Sequence, residues 1–66
     1  MKIKINGKDE SLDQGKSLLD IVKDKGLNSG RIVIEYNLQI ISTDEWEKVL
    51  LKDGDSVEMV SFMGGG

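Results

Sequence analysis

The stretch Met1-Lys2-Ile3-Lys4-Ile5-Asn6-Gly7 has apolar side chains at its first three odd positions and polar ones at its even positions. A period of two puts alternate side chains on opposite faces of a strand, so Met1, Ile3 and Ile5 are expected to point into a core. Asn6-Gly7 then supplies the positive φ angles of a two-residue type I′ hairpin turn. Positions 8–12 read as a second, more polar strand, whose charge suits a sheet edge because it discourages pairing with other chains.

Working outward, Ser17 and Asp20 have the Ser-x-x-Asp spacing of a capping box around the apolar run Leu18, Leu19, Ile21, Val22. This spacing predicts a helix over 18–25, with Leu18, Ile21 and Val22 on one face and Lys23 and Asp24 on the wet side. Gly26 is placed to end it as a left-handed cap, with Leu27 folding back. Positions 31–36 are β-branched and aromatic and predict a third strand; after a break at Asn37-Leu38, positions 39–41 predict a short fourth. Thr43, Asp44 and Glu45 look like the start of a helical turn that lays Trp46 against the core, with Val49 and Leu50 beyond it. Lys52-Asp53-Gly54-Asp55 is a tight turn into a last strand over 56–62.

The element order is strand, strand, helix, strand, short strand, last strand. In so short a chain the helix must cross one face of the sheet to close a core, and the first and last strands would lie adjacent and parallel at the centre. The expected class is α+β: a mixed sheet of four to five strands covered by one helix on one face, the β-grasp arrangement of ubiquitin-like domains. Ile3, Ile5, Leu18, Val22, Ile34, Val57 and Met59 should form the core. Positions 1–63 read as the domain and 64–66 as a flexible glycine tail.

Composition narrows the function. Sixty-six residues make a single domain, which buries only about 60% of the surface its unfolded chain exposes. The absence of cysteine and histidine removes thiolate chemistry, disulfides, Cys-ligated zinc and the commonest general base. A ligand pocket of roughly 300 to 1,000 Å³ is hard to enclose in so small a core, which points away from a self-contained enzyme. Nine basic residues against twelve acidic ones, a net charge of −3, argue against nucleic-acid binding, since the basic residues are scattered singly. No apolar run approaches the roughly 20 residues of a membrane span and Met1 leads into strand pattern instead of a signal peptide, so a cytoplasmic chain is expected. The acidic groups Asp9 with Glu10, Asp44 with Glu45 and Glu47, and Asp53 with Asp55 lack the spacing of a calcium loop, so they read as solvated faces or turns and no metal site is expected. Lys16-Ser17 after Gly15 is not a P-loop, because the first glycine of that motif is missing.

Two features could carry function. Three of the eight glycines stand at positions 64, 65 and 66, directly after a strand with no turn to make. Such a run is thin enough to thread a narrow channel and would carry a terminal carboxylate on the order of 10 Å beyond the sheet; the residues alone leave open a frayed end. The last strand is apolar on both sides, with Val57 and Met59 on one and Val60 and Phe62 on the other. If the helix covers the first side, then Val60 and Phe62, with Val33 and Glu35 on the adjoining strand, form an exposed docking face; a bulge or loop covering Val60 and Phe62 is the alternative.

The stretch from Tyr36-Asn37 through Ile40-Ile41, Trp46, Lys52-Asp53-Gly54-Asp55, Val57-Glu58 and Phe62 to Gly64-Gly65-Gly66 resembles the ThiS family of thiamine-biosynthesis sulfur carriers. The likeness covers essentially the whole chain and is most specific in the Asp-Gly-Asp turn, the Trp and the terminal Gly-Gly. The family often carries Pro-Arg before the Trp, where this chain reads Ser42-Thr43-Asp44-Glu45, so a contact made by that arginine does not carry over. The resemblance implies a carrier with no catalytic side chain and no stably bound cofactor. An E1-like adenylating enzyme would use ATP to convert the Gly66 carboxylate into an acyl-adenylate. Sulfur from a donor system would replace AMP as a thiocarboxylate, and thiazole synthase would receive that sulfur. Gly65 would matter for threading, and Gly64 would be a tolerant spacer. The small subunit of molybdopterin synthase and other sulfur carriers share this ending, and a ubiquitin-like modifier or a passive binding module are alternatives of other classes.

Overall fold

The computed structural model describes residues 1–62. The chain forms β1 (Lys2–Ile5), β2 (Lys8–Ser11), α1 (Leu18–Asp24), a 3₁₀ turn (Ser29–Arg31), β3 (Ile32–Tyr36), β4 (Gln39–Ile41), a 3₁₀ segment (Thr43–Lys48) and β5 (Ser56–Ser61). The sheet order is β2-β1-β5-β3-β4, with β1 and β5 parallel at its centre and every other pair antiparallel. This is the expected β-grasp topology.

Local chemistry explains the element ends. Asn6 and Gly7 take φ of 52° and 82°, the left-handed pair that a type I′ turn requires. Both halves of the capping box form: Asp20 N–H donates to Ser17 Oγ at 3.2 Å, and Ser17 N–H donates to the Asp20 carboxylate at 2.9 Å. The Ser17 N–H bond holds the Asp20 carboxyl below its ordinary pKa. The helix ends one residue earlier than expected, with Lys25 as cap and Gly26 at φ 67°. The third strand starts at Ile32 because Arg31 closes the 3₁₀ turn, which Asn28 caps through its side chain.

Apolar side chains from α1 and one face of the sheet meet in a single core. Six of the seven expected core residues are buried, and Met59 is partly buried against them. Ile21, Ile32, Trp46 and Leu51 complete it, with Trp46 Nε1–H donating to the Ile41 carbonyl at 3.0 Å. Leu51 is drawn inward by two backbone bonds, Leu51 N–H to Lys16 O and Leu18 N–H to Val49 O, which strap the segment after Trp46 onto the start of α1 and leave Leu50 outside.

One expectation is corrected. Asp55 does not lie on a solvated turn: it is buried and accepts bonds from Tyr36, Asn37 and the Lys52 backbone, whereas Asp53 stays at the surface and accepts from Lys2 N–H. Beside the end of α1 lies an open surface groove of about 400 Å³, which the core does not enclose. No helix among the described residues is long and apolar enough to cross a membrane.

Candidate functional site

The sheet face away from α1 carries the expected docking residues. Ile32 and Ile34 turn inward on β3, so Val33 and Glu35 turn outward; Val57 and Met59 turn inward on β5, so Glu58, Val60 and Phe62 turn outward. The antiparallel register sets Val33 opposite Val60 and Glu35 opposite Glu58. Val60 is 61% exposed, Phe62 48% and Val33 38%, while Glu35 is half-buried. No bulge or loop covers this face among the described residues, so Val33, Glu35, Val60 and Phe62 do form one surface.

Two further apolar residues extend it. Ile40, opposite Glu35 across the β3–β4 ladder, is 72% exposed, and Leu38 at the hairpin tip is 88% exposed. Sequence reasoning left both in a break and a short strand; the signal available was Ile40 one step out of phase with the inward-facing Ile41. At the other end of the face, Phe62 N–H donates to Arg31 O at 2.9 Å. That bond carries the pairing with the β3 side as far as Phe62, the last described residue. Gly64, Gly65 and Gly66, and the domain limit at position 63, lie outside the described residues.

The face holds an unbalanced pair of charges. Glu35 and Glu58 stand in register with no ion-pair partner among the described residues, whereas Lys4 on the same face reaches Asp9 at 3.9 Å. Like charges directly opposite each other cost stability in an isolated sheet. Apolar area beside two carboxylates suits a partner surface that is itself apolar with a basic group. Among the described residues no cluster of His, Cys, Asp or Glu is arranged to hold a metal.

The chain matches the model of the ThiS family over residues 3–66. It is 31% identical over 65 residues to the sulfur carrier protein ThiS of Bacillus subtilis, covering 97% of this chain and 98% of that one. It is 32% identical over 66 residues to a thiazole synthase of Paramagnetospirillum magneticum, where it covers 100% of this chain and spans only 20% of the relative. The crystal structure of the thiamine biosynthesis protein ThiS from Geobacter metallireducens superposes with a TM-score of 0.85 at 26% identity, covering 100% of both chains.

Proposed function

The chain belongs to the ThiS family, and from that membership we propose that it is a sulfur carrier of thiamine biosynthesis whose reactive group is the carboxylate of Gly66. The supporting observation is the match along the chain to a carrier of the same size, together with a central strand, exposed on its outer face, that precedes Gly64-Gly65-Gly66 in the sequence.

The chemistry follows from the weakness of a carboxylate as an electrophile. A Gly66 carboxylate oxygen attacks the α-phosphorus of ATP on an E1-like adenylating enzyme, forming an acyl-adenylate and releasing pyrophosphate. Sulfide-level sulfur from a donor system then attacks the acyl carbon, the bond to AMP breaks, and a thiocarboxylate remains. On thiazole synthase the sulfur passes to the acceptor substrate, the acyl C–S bond breaks as an oxygen nucleophile, water or a substrate oxygen, bonds the acyl carbon, and the carboxylate is regenerated for another cycle. In this scheme the catalytic groups belong to the partners; the chain supplies the docking face of Val33, Glu35, Val60 and Phe62, and a side-chain-free tail. The resemblance of this chain to one-fifth of a thiazole synthase favours the thiamine pathway over molybdopterin synthesis or protein modification.

The test is pyrophosphate exchange. A chain ending at Gly66 should promote ATP–pyrophosphate exchange on the adenylating enzyme without any sulfur donor, since adenylation comes first. The same chain lacking Gly65 and Gly66 should not. Equal exchange by both would overturn the assignment.

A further inference from the structure

Beyond Val57 the central strand is paired on one side only. β1 ends at Ile5, opposite Val57, whereas β3 accompanies β5 to Ser61. Two bonds fix which peptide groups face β3: Asn37 N–H donates to Ser56 O, and Phe62 N–H donates to Arg31 O. In an antiparallel ladder this orientation alternates, so the even-numbered residues of β5 turn toward β3 and the odd-numbered ones away. The odd ones do serve the β1 side, where Val57 O accepts from Asn6 N–H at 2.9 Å and Met59 N–H donates to Asn6 Oδ1 at 2.7 Å. Ser61 is next in that series. Its N–H and C=O point into a gap where no strand lies among the described residues.

The groove of about 400 Å³ lies beside this gap, on the helix side of the sheet, opposite the docking face. Leu27, Ile32 and Met59 give it apolar walls, and Ser61 lines it. On the rim, Lys25 is taken up by Glu10 at 3.0 Å, whereas Lys8 has no ion-pair partner among the described residues. An unpaired strand edge beside an apolar groove is the arrangement by which extended peptides are bound through strand addition.

We propose that this gap receives an extended segment of a partner protein, added along β5 where β1 stops. Its backbone bonds Ser61 N–H and C=O, one apolar side chain fills the groove, and an acidic side chain meets Lys8. A second copy of this chain is a poor occupant. The free edge of β2 reads Lys-Asp-Glu-Ser with no apolar side chain to offer, and the inward apolar residue of β4, Ile41, is already packed on its own core. The inference rests on the reading of the chain as a carrier passed between protein partners, and it adds a contact distinct from the outer face.

Amide hydrogen exchange on a chain ending at Gly66, with separately purified adenylating enzyme and thiazole synthase in turn, tests it. In the free chain the Ser61 amide should exchange as fast as an unprotected peptide while Val60 and Phe62 are slowed; saturating one partner should slow Ser61 tenfold or more. Ser61→Pro removes an N–H with no acceptor among the described residues, a change tolerated at a strand edge, so it should keep the melting temperature and lose at least tenfold in affinity. Binding of both enzymes with Ser61 unprotected, or at full strength by Ser61→Pro, would overturn the slot and leave the carrier reading standing. Binding of neither enzyme would overturn the partner reading and the slot with it. Protection of Ser61 that grows with chain concentration alone would assign the gap to a second copy and overturn the proposal. Should Ser61→Pro not fold, exchange in the unsubstituted chain decides.

Discussion

The Tyr36 hydroxyl donates a 2.6 Å hydrogen bond to the Asp55 carboxylate and so ties the end of β3 to the turn that starts β5. Lys52 N–H and Asn37 Nδ2 donate to the same carboxylate at 2.7 and 3.2 Å. Burial works to raise the Asp55 carboxyl, but these bonds outweigh it and hold its pKa below the ordinary 3.8. Burial, then the bond to Asp55 and its charge, push the Tyr36 hydroxyl up to about 12.

Tyr36→Phe should therefore destabilise the fold at neutral pH by roughly 1.5 kcal/mol, the low end for a bond to a charged group because Tyr36 is only half-buried. The signs of its pH dependence differ at the two ends. Asp55 has a depressed folded pKa, so its contribution is present above the ordinary 3.8 and is lost as pH falls through the folded value. Tyr36 has a raised folded pKa, so its contribution is present below 10.0 and is lost as pH rises toward about 12. The stability gap between wild type and Tyr36→Phe, measured by urea denaturation, should be flat at neutral pH and shrink on both sides.

Glu35 and Glu58 face each other across β3 and β5 with no cation between them among the described residues. Glu35→Lys should raise stability by about 0.2 to 1 kcal/mol, less at high salt, by turning a repulsive cross-strand pair into an attractive one. The same change should weaken partner binding, which a titration on the adenylating enzyme would reveal. Stability and binding moving together would contradict the role given to this pair.

Leu38 adopts φ 72° at a hairpin tip where it is almost fully exposed. A side chain is disfavoured in that region and glycine is not, so Leu38→Gly should hold or raise stability by up to about 1 kcal/mol despite losing an apolar residue. Thermal melts followed by Trp46 fluorescence would show it, since the single Trp is buried in the core.

How much of this was legible beforehand depended on the range of the interactions. Alternation in Ile3 and Ile5, the Ser17–Asp20 box and the Asn6-Gly7 turn are local signals, and each produced the element it announced. The outward phase of Val33, Val60 and Phe62 was legible for the same reason, since a period of two assigns faces once one inward residue is known. Asp55 was misread because its burial depends on Tyr36 and Asn37, which lie 19 and 18 positions away and reach it only after β3 has paired with β5. Leu51 was missed because its inward turn is imposed by a backbone bond to Lys16. The open edge at Ser61 could not be read at all, because it arises from where β1 stops relative to β5.

Phe62→Ala should weaken binding to the adenylating enzyme by about 1 to 2 kcal/mol while leaving the melting temperature nearly unchanged, because Phe62 is about half exposed and lies outside the core. Val60→Ala should act in the same direction and by less. Unfolding of Phe62→Ala would mean that the outer face supports the domain and does not serve a partner.

The central claim is that the Gly66 carboxylate carries sulfur, and intact-mass spectrometry tests it most directly. Incubation of a chain ending at Gly66 with the adenylating enzyme, ATP and a sulfur donor should yield a product in which one oxygen has been replaced by sulfur, and a chain extended by one residue beyond Gly66 should yield none. An unchanged mass with a partner proven active on its own carrier, or the same exchange after Gly66 is removed, would contradict the account.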